Sequence, residues 1–150
     1  MTIQTLTNKS PLWEPLAAYA EACPWGAGPY LAKQMRRNSF NAWERVFAAI
    51  EGGEIAGFCT LSEKDCIPDV PYSPYISFVF IGEAFRGRRL SETLIHTALA
   101  YAKEVGFDNV YLVSDHVNFY EKYGFVKIDE KPAPWNPIDM ETIFMRSTKI

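Results

Sequence analysis

The segment Phe85-Arg86-Gly87-Arg88-Arg89-Leu90-Ser91 sets three arginines around one glycine, after an apolar run and before a helical one. A helix N-terminus offers backbone N–H groups without intrahelical partners and the positive end of a dipole, so anions collect there. Gly87 lets the backbone come close to a ligand, and guanidinium groups match phosphate oxygens. A pyrophosphate is the anion such a segment suits. An ordinary solvated turn with exposed arginines fits the same residues. Other phosphate sites are excluded, because the chain has neither GxxxxGK[ST] nor GxGxxG after a strand.

A second segment, Asn118-Phe119-Tyr120-Glu121-Lys122-Tyr123-Gly124-Phe125, follows the next apolar run, and the polar pair Asp115 and His116 stands just before it.

The elements that must position these residues are legible from period and punctuation. Thr2 to Leu6 reads as a short strand. Ser10-Pro11 reads as an N-cap followed by proline at the first helical position, opening a helix through Ala22. Cys23 to Pro29 reads as a loop and Tyr30 to Arg37 as a second helix. Trp43 to Glu51 and Glu54 to Leu61 are apolar runs joined by Gly52-Gly53, which predicts a hairpin. Asp65 to Pro74 breaks the pattern with three prolines. Tyr75 to Ile81 is expected to be a strand buried on both faces. Leu90, Leu94, Ile95, Ala98, Leu99, Ala102 and Val105 recur at helical spacing, and Gly106 ends the run. Val110 to Val113 makes a buried strand, and a short helix over His116 to Tyr123 precedes strands near Phe125 to Asp129 and Met140 to Arg146. This order is α/β (α+β), with one mixed sheet and helices on both faces.

Composition bounds the reading. The chain has 150 residues, 48% hydrophobic and 22% charged, with a formal net charge of −3, as an ordinary globular chain does. One domain over residues 1–150 is expected. The 4 Trp, 8 Tyr and 10 Phe suggest a full core plus a lined cavity. The first residues lack a cationic start with an apolar stretch, so no secretory leader is expected, and no apolar run reaches membrane-helix length. A mildly acidic chain is a poor nucleic-acid binder. Three cysteines without a CxxC, beside only His96 and His116, argue against a zinc site. The expectation is a cytoplasmic, metal-free protein.

Taken together, strand–FRGxx–helix–strand–FYEKxGF resembles the GNAT superfamily of N-acetyltransferases, over about residues 43 to 146 in element order. The resemblance implies the acyl-CoA N-acyltransferase fold, with a mostly antiparallel central sheet. It implies acetyl-CoA as co-substrate, no metal, and a small-molecule or peptide amine as acceptor. The strand residues Val79, Phe80 and Ile81 would hydrogen-bond the pantetheine arm. Arg86, Gly87, Arg88, Arg89, Leu90 and Ser91 would wrap the pyrophosphate, with Asn118 also near the cofactor. Tyr120 matches the tyrosine that protonates the departing thiolate. A phenol of ordinary pKa, about 10, keeps its proton at neutral pH and gives it up late, and a strand N–H can receive the oxyanion charge. A ring packing on the sheet is the other reading of Tyr120.

The chain departs from the family pattern at three places. Arg89 and Ser91 stand where glycine, or glycine and alanine, are usual, so the Arg89 side chain must swing outward or add a cation. Val113 replaces an asparagine many relatives carry seven residues before the tyrosine. For the general base, Asp115 or His116 is nearest in sequence, yet Asp115 also suits the N-cap of the short helix. Ser77, Asp65, Asp69 and Glu83 are weaker options, and His96 lies off the apolar stripe of its helix. Trp13, Trp25, Tyr30, Tyr72, Tyr75 and Trp135 either line a substrate pocket, with the loops around Pro68 to Pro74 and Pro132 to Pro137, or complete the core. The cysteines read as buried small hydrophobes. The alternative to an enzyme is a non-catalytic acyl-CoA-binding or interaction module. Monomer and homodimer both remain open.

Overall fold

The computed structural model describes residues 1–149. Gly52 and Gly53 take φ of 57° and 81°, the two successive left-handed residues that a two-residue hairpin turn requires. They join β2 (Arg45–Glu51) to β3 (Glu54–Ser62), and β1 (Thr2–Leu6) pairs antiparallel with β2, from Thr2↔Ile50 to Leu6↔Val46. β4 (Tyr75–Ile81) registers in parallel with β5 (Asn109–Ser114) at Tyr75↔Tyr111. β7 (Asn136–Ser147) runs antiparallel to both β5 and β6 (Val126–Ala133). One seven-stranded sheet results, in the order β1-β2-β3-β4-β5-β7-β6. The mixed, mostly antiparallel α/β arrangement expected from the sequence is therefore present. The residues group into two compact units, Met1–Thr60 with Phe78–Ala98, and Leu61–Ser77 with the chain from Leu99 onward.

In the first unit, α1 (Trp13–Ala22) buries Leu16, Ala17 and Ala20, and α2 (Gly28–Arg36) buries Leu31, Ala32 and Met35. These spacings put each set on one helical face. They form one core with Val46 and Ala48 of β2, Phe58 of β3 and Phe80 of β4. The Trp13 indole N–H donates to the Met35 carbonyl at 3.1 Å, so the ring is buried without stranding its donor. The helices cross tightly at Gly28, where a Cβ would lie 2.2 Å from the Ala20 carbonyl oxygen. Neighbouring strand residues point to opposite faces. Phe58 meets the α1/α2 core, while the Cys59 thiol lies 3.8 Å from the Leu94 carbonyl of α3 (Leu90–Val105). Helices thus cover both faces of the sheet.

In the second unit, Leu112, Phe125, Ile143 and Phe144 are buried, and Thr148 Oγ1 donates to the Phe107 carbonyl at 2.8 Å. α3 ends at Gly106, φ 118°, whose N–H reaches the Ala102 carbonyl.

Four expectations are corrected. Ser10 does not cap α1, because its hydroxyl accepts the Thr7 N–H at 3.0 Å and closes a turn, so the helix begins at Trp13. α2 starts earlier, at Gly28, with Pro29 in its first turn, where a missing N–H costs nothing. The helix expected over His116 to Tyr123 shrinks to a 3-10 turn at Tyr120–Tyr123, since Asn118 at φ 57° cannot belong to a right-handed helix. Pro132 and Pro137 lie within β6 and β7, which leaves Pro134-Trp135 as a hairpin tip instead of a long loop.

Candidate active site

The arginine segment lies wholly in the first unit. β4 leads through Gly82 into a single 3-10 turn, Glu83–Phe85, and Arg86 follows it at φ −70°. Gly87 is at φ 83° and Arg89 at φ 59°, while Arg88 between them is not in the left-handed region. Left-handed residues at these two positions turn the chain sharply at the end of the loop. The Arg89 carbonyl accepts the Thr93 N–H at 3.3 Å, so the loop runs straight into the positive end of the sixteen-residue α3.

The arginine side chains are spread apart. Arg86 Nε donates to the Ile81 carbonyl at 3.1 Å and braces the end of β4. The Arg88 guanidinium sits 5.6 Å from the Phe85 ring centroid. Arg89, with its side chain 83% exposed, swings outward to Glu92, Nε to Oε2 3.3 Å. Leu90 is buried and anchors α3 to the core, whereas Ser91 is half-buried.

Phe78, φ 52°, is a non-glycine left-handed residue inside β4. It interrupts the expected two-faced burial, for Phe78 and Val79 are only half-buried while Phe80 is buried. A kink of this kind re-aims backbone groups and marks strands beside functional sites. The Phe80 ring is core, stacked 5.6 Å from Trp25 and 5.3 Å from Phe58, so only its backbone is available to a ligand. Tyr19 of α1 was missed by sequence reading. Its hydroxyl lies 2.8 Å from where a Cβ on Gly82 would stand. Burial pushes its phenol up, the Cys23 thiol adds to this, and the Arg86 guanidinium opposes it.

The second unit holds Tyr120, 7% exposed, in a nest of rings. Phe119 is 4.8 Å away, His116 and Phe144 are each at 6.1 Å, and Phe125 is at 6.3 Å. Asp115, His116 and Asn118 are exposed beyond β5. Asp115 caps no helix, since the 3-10 turn has Phe119 at its cap position, and Ser114 Oγ accepts the His116 N–H at 3.0 Å instead.

Beside them lies a group that sequence reading did not assemble. Ser77 Oγ donates to Asp65 Oδ2 at 2.5 Å. Glu141 on β7 is buried, and its carboxyl is pushed up by burial and then by Asp115, Asp65 and Asp139, with His116 opposing. No signal in the sequence marked Glu141, which reads as one polar residue of an alternating strand. Asp69 is exposed and takes no part in this group.

Of the aromatic residues, Trp13 and Tyr75 complete the cores, whereas Tyr30 and Trp135 are exposed. Cys59 is buried as expected, but Cys66 is exposed and Cys23 half-buried. Among the described residues no cluster of three or more His, Cys, Asp or Glu could hold a metal ion, and no helix is long and apolar enough to cross a membrane.

A seven-stranded, mostly antiparallel mixed sheet whose fourth strand, with Phe78 left-handed, leads through one 3-10 turn into α3 defines the architecture. The model of the acetyltransferase (GNAT) family matches residues 12–125, and the chain belongs to that family. No curated protein sequence matches it. Among solved structures it is similar to an aminoglycoside 6'-acetyltransferase type Ii, at 17% identity and TM-score 0.77, covering 100% of this chain and 99% of that one. It is also similar to an aminoglycoside 6'-N-acetyltransferase complexed with coenzyme A, at 14% identity and TM-score 0.75, covering 100% and 98%. A spermidine N-acetyltransferase from Vibrio cholerae shows 16% identity and TM-score 0.67, covering 98% and 93%. At these identities the likeness is one of fold.

Proposed function

We propose that the chain transfers an acetyl group from acetyl-CoA to a primary amine, its two units serving one acetyltransferase domain over residues 1–150. The observation that carries this reading is the loop from Arg86 to Arg89, with Gly87 and Arg89 left-handed, leading into the start of α3 in a chain of the GNAT family. The open space around Gly87, with nothing within 4 Å of a Cβ position, fits a phosphate brought against the backbone. Coenzyme A bound to a similar fold supports the same ligand here.

Acetyl-CoA supplies the acyl group as a thioester. The N–H groups of Gly87 through Ser91 hold its pyrophosphate, and Arg88 and Arg89 add charge. Backbone groups of Val79, Phe80 and Ile81 bind the pantetheine arm, and a strand N–H there stabilises charge on the carbonyl oxygen. Asp115, exposed past β5, takes the proton of the attacking ammonium directly or through water. As the new C–N bond forms and the C–S bond breaks, Tyr120 gives its phenolic proton to sulfur. Asn118, from the same segment as Tyr120, also binds the cofactor.

Calorimetric titration with acetyl-CoA, with ATP as control, tests the reading. The expected result is saturable acetyl-CoA binding that Gly87→Asp abolishes. Absence of binding would overturn it, and binding without acetylation of any amine would leave a non-catalytic acyl-CoA-binding module.

A further inference from the structure

Tyr19 and Arg86 both reach the peptide between Ile81 and Gly82, at the exit of β4 and within the first unit. The Arg86 Nε–H donates to the Ile81 carbonyl at 3.1 Å. The Tyr19 hydroxyl lies 2.8 Å from where a Cβ on Gly82 would stand, so a side chain at that position would displace it. Gly82 is at φ −61° and ψ 144°, a conformation open to any residue. Glycine therefore supplies close approach at this position, not backbone freedom. The peptide itself is held in place. The Gly82 N–H donates to the Ala56 carbonyl at 2.8 Å, and the Gly82 carbonyl accepts the Phe85 N–H at 2.9 Å.

Both side chains are anchored and keep hydrogen-bonding capacity to spare. The Tyr19 ring packs edge-on to Phe58 at 6.1 Å and against Phe80 at 6.4 Å. Its hydroxyl makes no hydrogen bond among the described residues. The bond to Ile81 orients the Arg86 guanidinium, and its Nη groups have no partner among the described residues either. Glu83, the nearest carboxylate in sequence, is exposed and forms no ion pair with Arg86. Burial raises the phenol's pKa, so at neutral pH Tyr19 is a hydrogen-bond donor. A neutral donor and a cationic one converging on a single peptide suit the oxygens of a phosphate.

We propose that the Tyr19 hydroxyl and the Arg86 guanidinium clamp the pyrophosphate of coenzyme A at the exit of β4, which makes α1 part of the cofactor site. The proposal rests on the acetyl-CoA reading of the loop from Arg86 to Arg89. From Gly82 the chain passes through one 3-10 turn into that loop, so the clamp and the backbone around Gly87 belong to one continuous segment.

The test is calorimetric titration of the full chain with acetyl-CoA and with acetyl-dephospho-CoA, which keeps the pyrophosphate and lacks the ribose phosphate. Tyr19→Phe retains the ring contacts and removes the hydroxyl. It is expected to weaken both ligands by about tenfold to a hundredfold, with the unfolding temperature nearly unchanged. Gly82→Ala, whose methyl group displaces the hydroxyl, should weaken acetyl-CoA on its own and add little in the Tyr19→Phe background. An affinity for acetyl-CoA that Tyr19→Phe leaves unchanged overturns the clamp and leaves the acetyltransferase reading standing. A loss confined to acetyl-CoA and absent with acetyl-dephospho-CoA overturns the assignment to the pyrophosphate. If Tyr19→Phe fails to fold, Gly82→Ala decides, and an affinity unchanged by it overturns the clamp. No binding of acetyl-CoA by the unaltered chain overturns the clamp and the reading together.

Discussion

Arg89 reaches forward to Glu92, Nε to Oε2 3.3 Å, from a backbone held at φ 59°. The left-handed conformation costs a non-glycine residue roughly 1–2 kcal/mol, and a pair with one side chain 83% exposed returns little of it. Arg89→Gly should therefore stabilise the protein by roughly 0.5–1 kcal/mol after the added freedom of the unfolded chain is counted. Thermal unfolding should show a rise of about 2–4 °C. A fall would mean that the guanidinium contributes more than the strain removes.

Gly87 predicts the opposite sign two residues earlier. Its φ is 83° and the space around it is open, so Gly87→Ala meets no atom and carries only the backbone cost. Stability should drop by about 1 kcal/mol, and acetyl-CoA affinity should fall as well, because the methyl group stands where a phosphate must approach. Loss of stability with affinity unchanged would place the phosphate elsewhere.

These two residues show what the sequence carried. The pattern Phe85 to Ser91 announced the helix start, and Gly52-Gly53 announced a turn that only left-handed residues can make. Both signals are local, since each is a backbone requirement answered by one or two residue types. The apolar period of α3 was legible for a related reason, as burial repeats along the element itself. Glu141 was not legible, because what changes it comes from Asp65, 76 positions earlier, and from Asp115 on another element. The capping alternative for Asp115 fails, because it required a helix that Asn118 at φ 57° prevents. Single-residue chemistry shows in a sequence when the neighbours that tune it are also neighbours in the chain.

Cys66 offers a direct readout of the acidic group. It is exposed, yet partial burial first, and then the Asp65 carboxylate, push its thiol up to about 12. Since the thiolate is the nucleophile, alkylation by iodoacetamide at pH 8 should be markedly slower than for a free cysteine. Asp65→Asn should speed it severalfold. Fast alkylation in the unaltered protein would show that Asp65 does not act on the thiol.

Tyr120 sits among rings, where both a packing role and a proton-donating role are physically sound. Tyr120→Phe separates them, since it keeps the ring and removes the hydroxyl. As general acid, Tyr120 predicts a kcat lower by about 10²–10⁴, with acetyl-CoA affinity and unfolding temperature nearly unchanged. A variant that keeps full kcat would confine Tyr120 to packing.

Glu141 gives the pH dependence. Its carboxyl is raised in the folded protein by burial and by neighbouring carboxylates, so the fold binds its proton more tightly than the unfolded chain does. The stability it contributes is complete below the unfolded value, about 4.3, and is lost as pH rises through the raised folded value. Glu141→Gln abolishes that loss, so the variant should gain on the unaltered protein between pH 4 and pH 7 in urea unfolding. A difference constant with pH would show that Glu141 titrates normally.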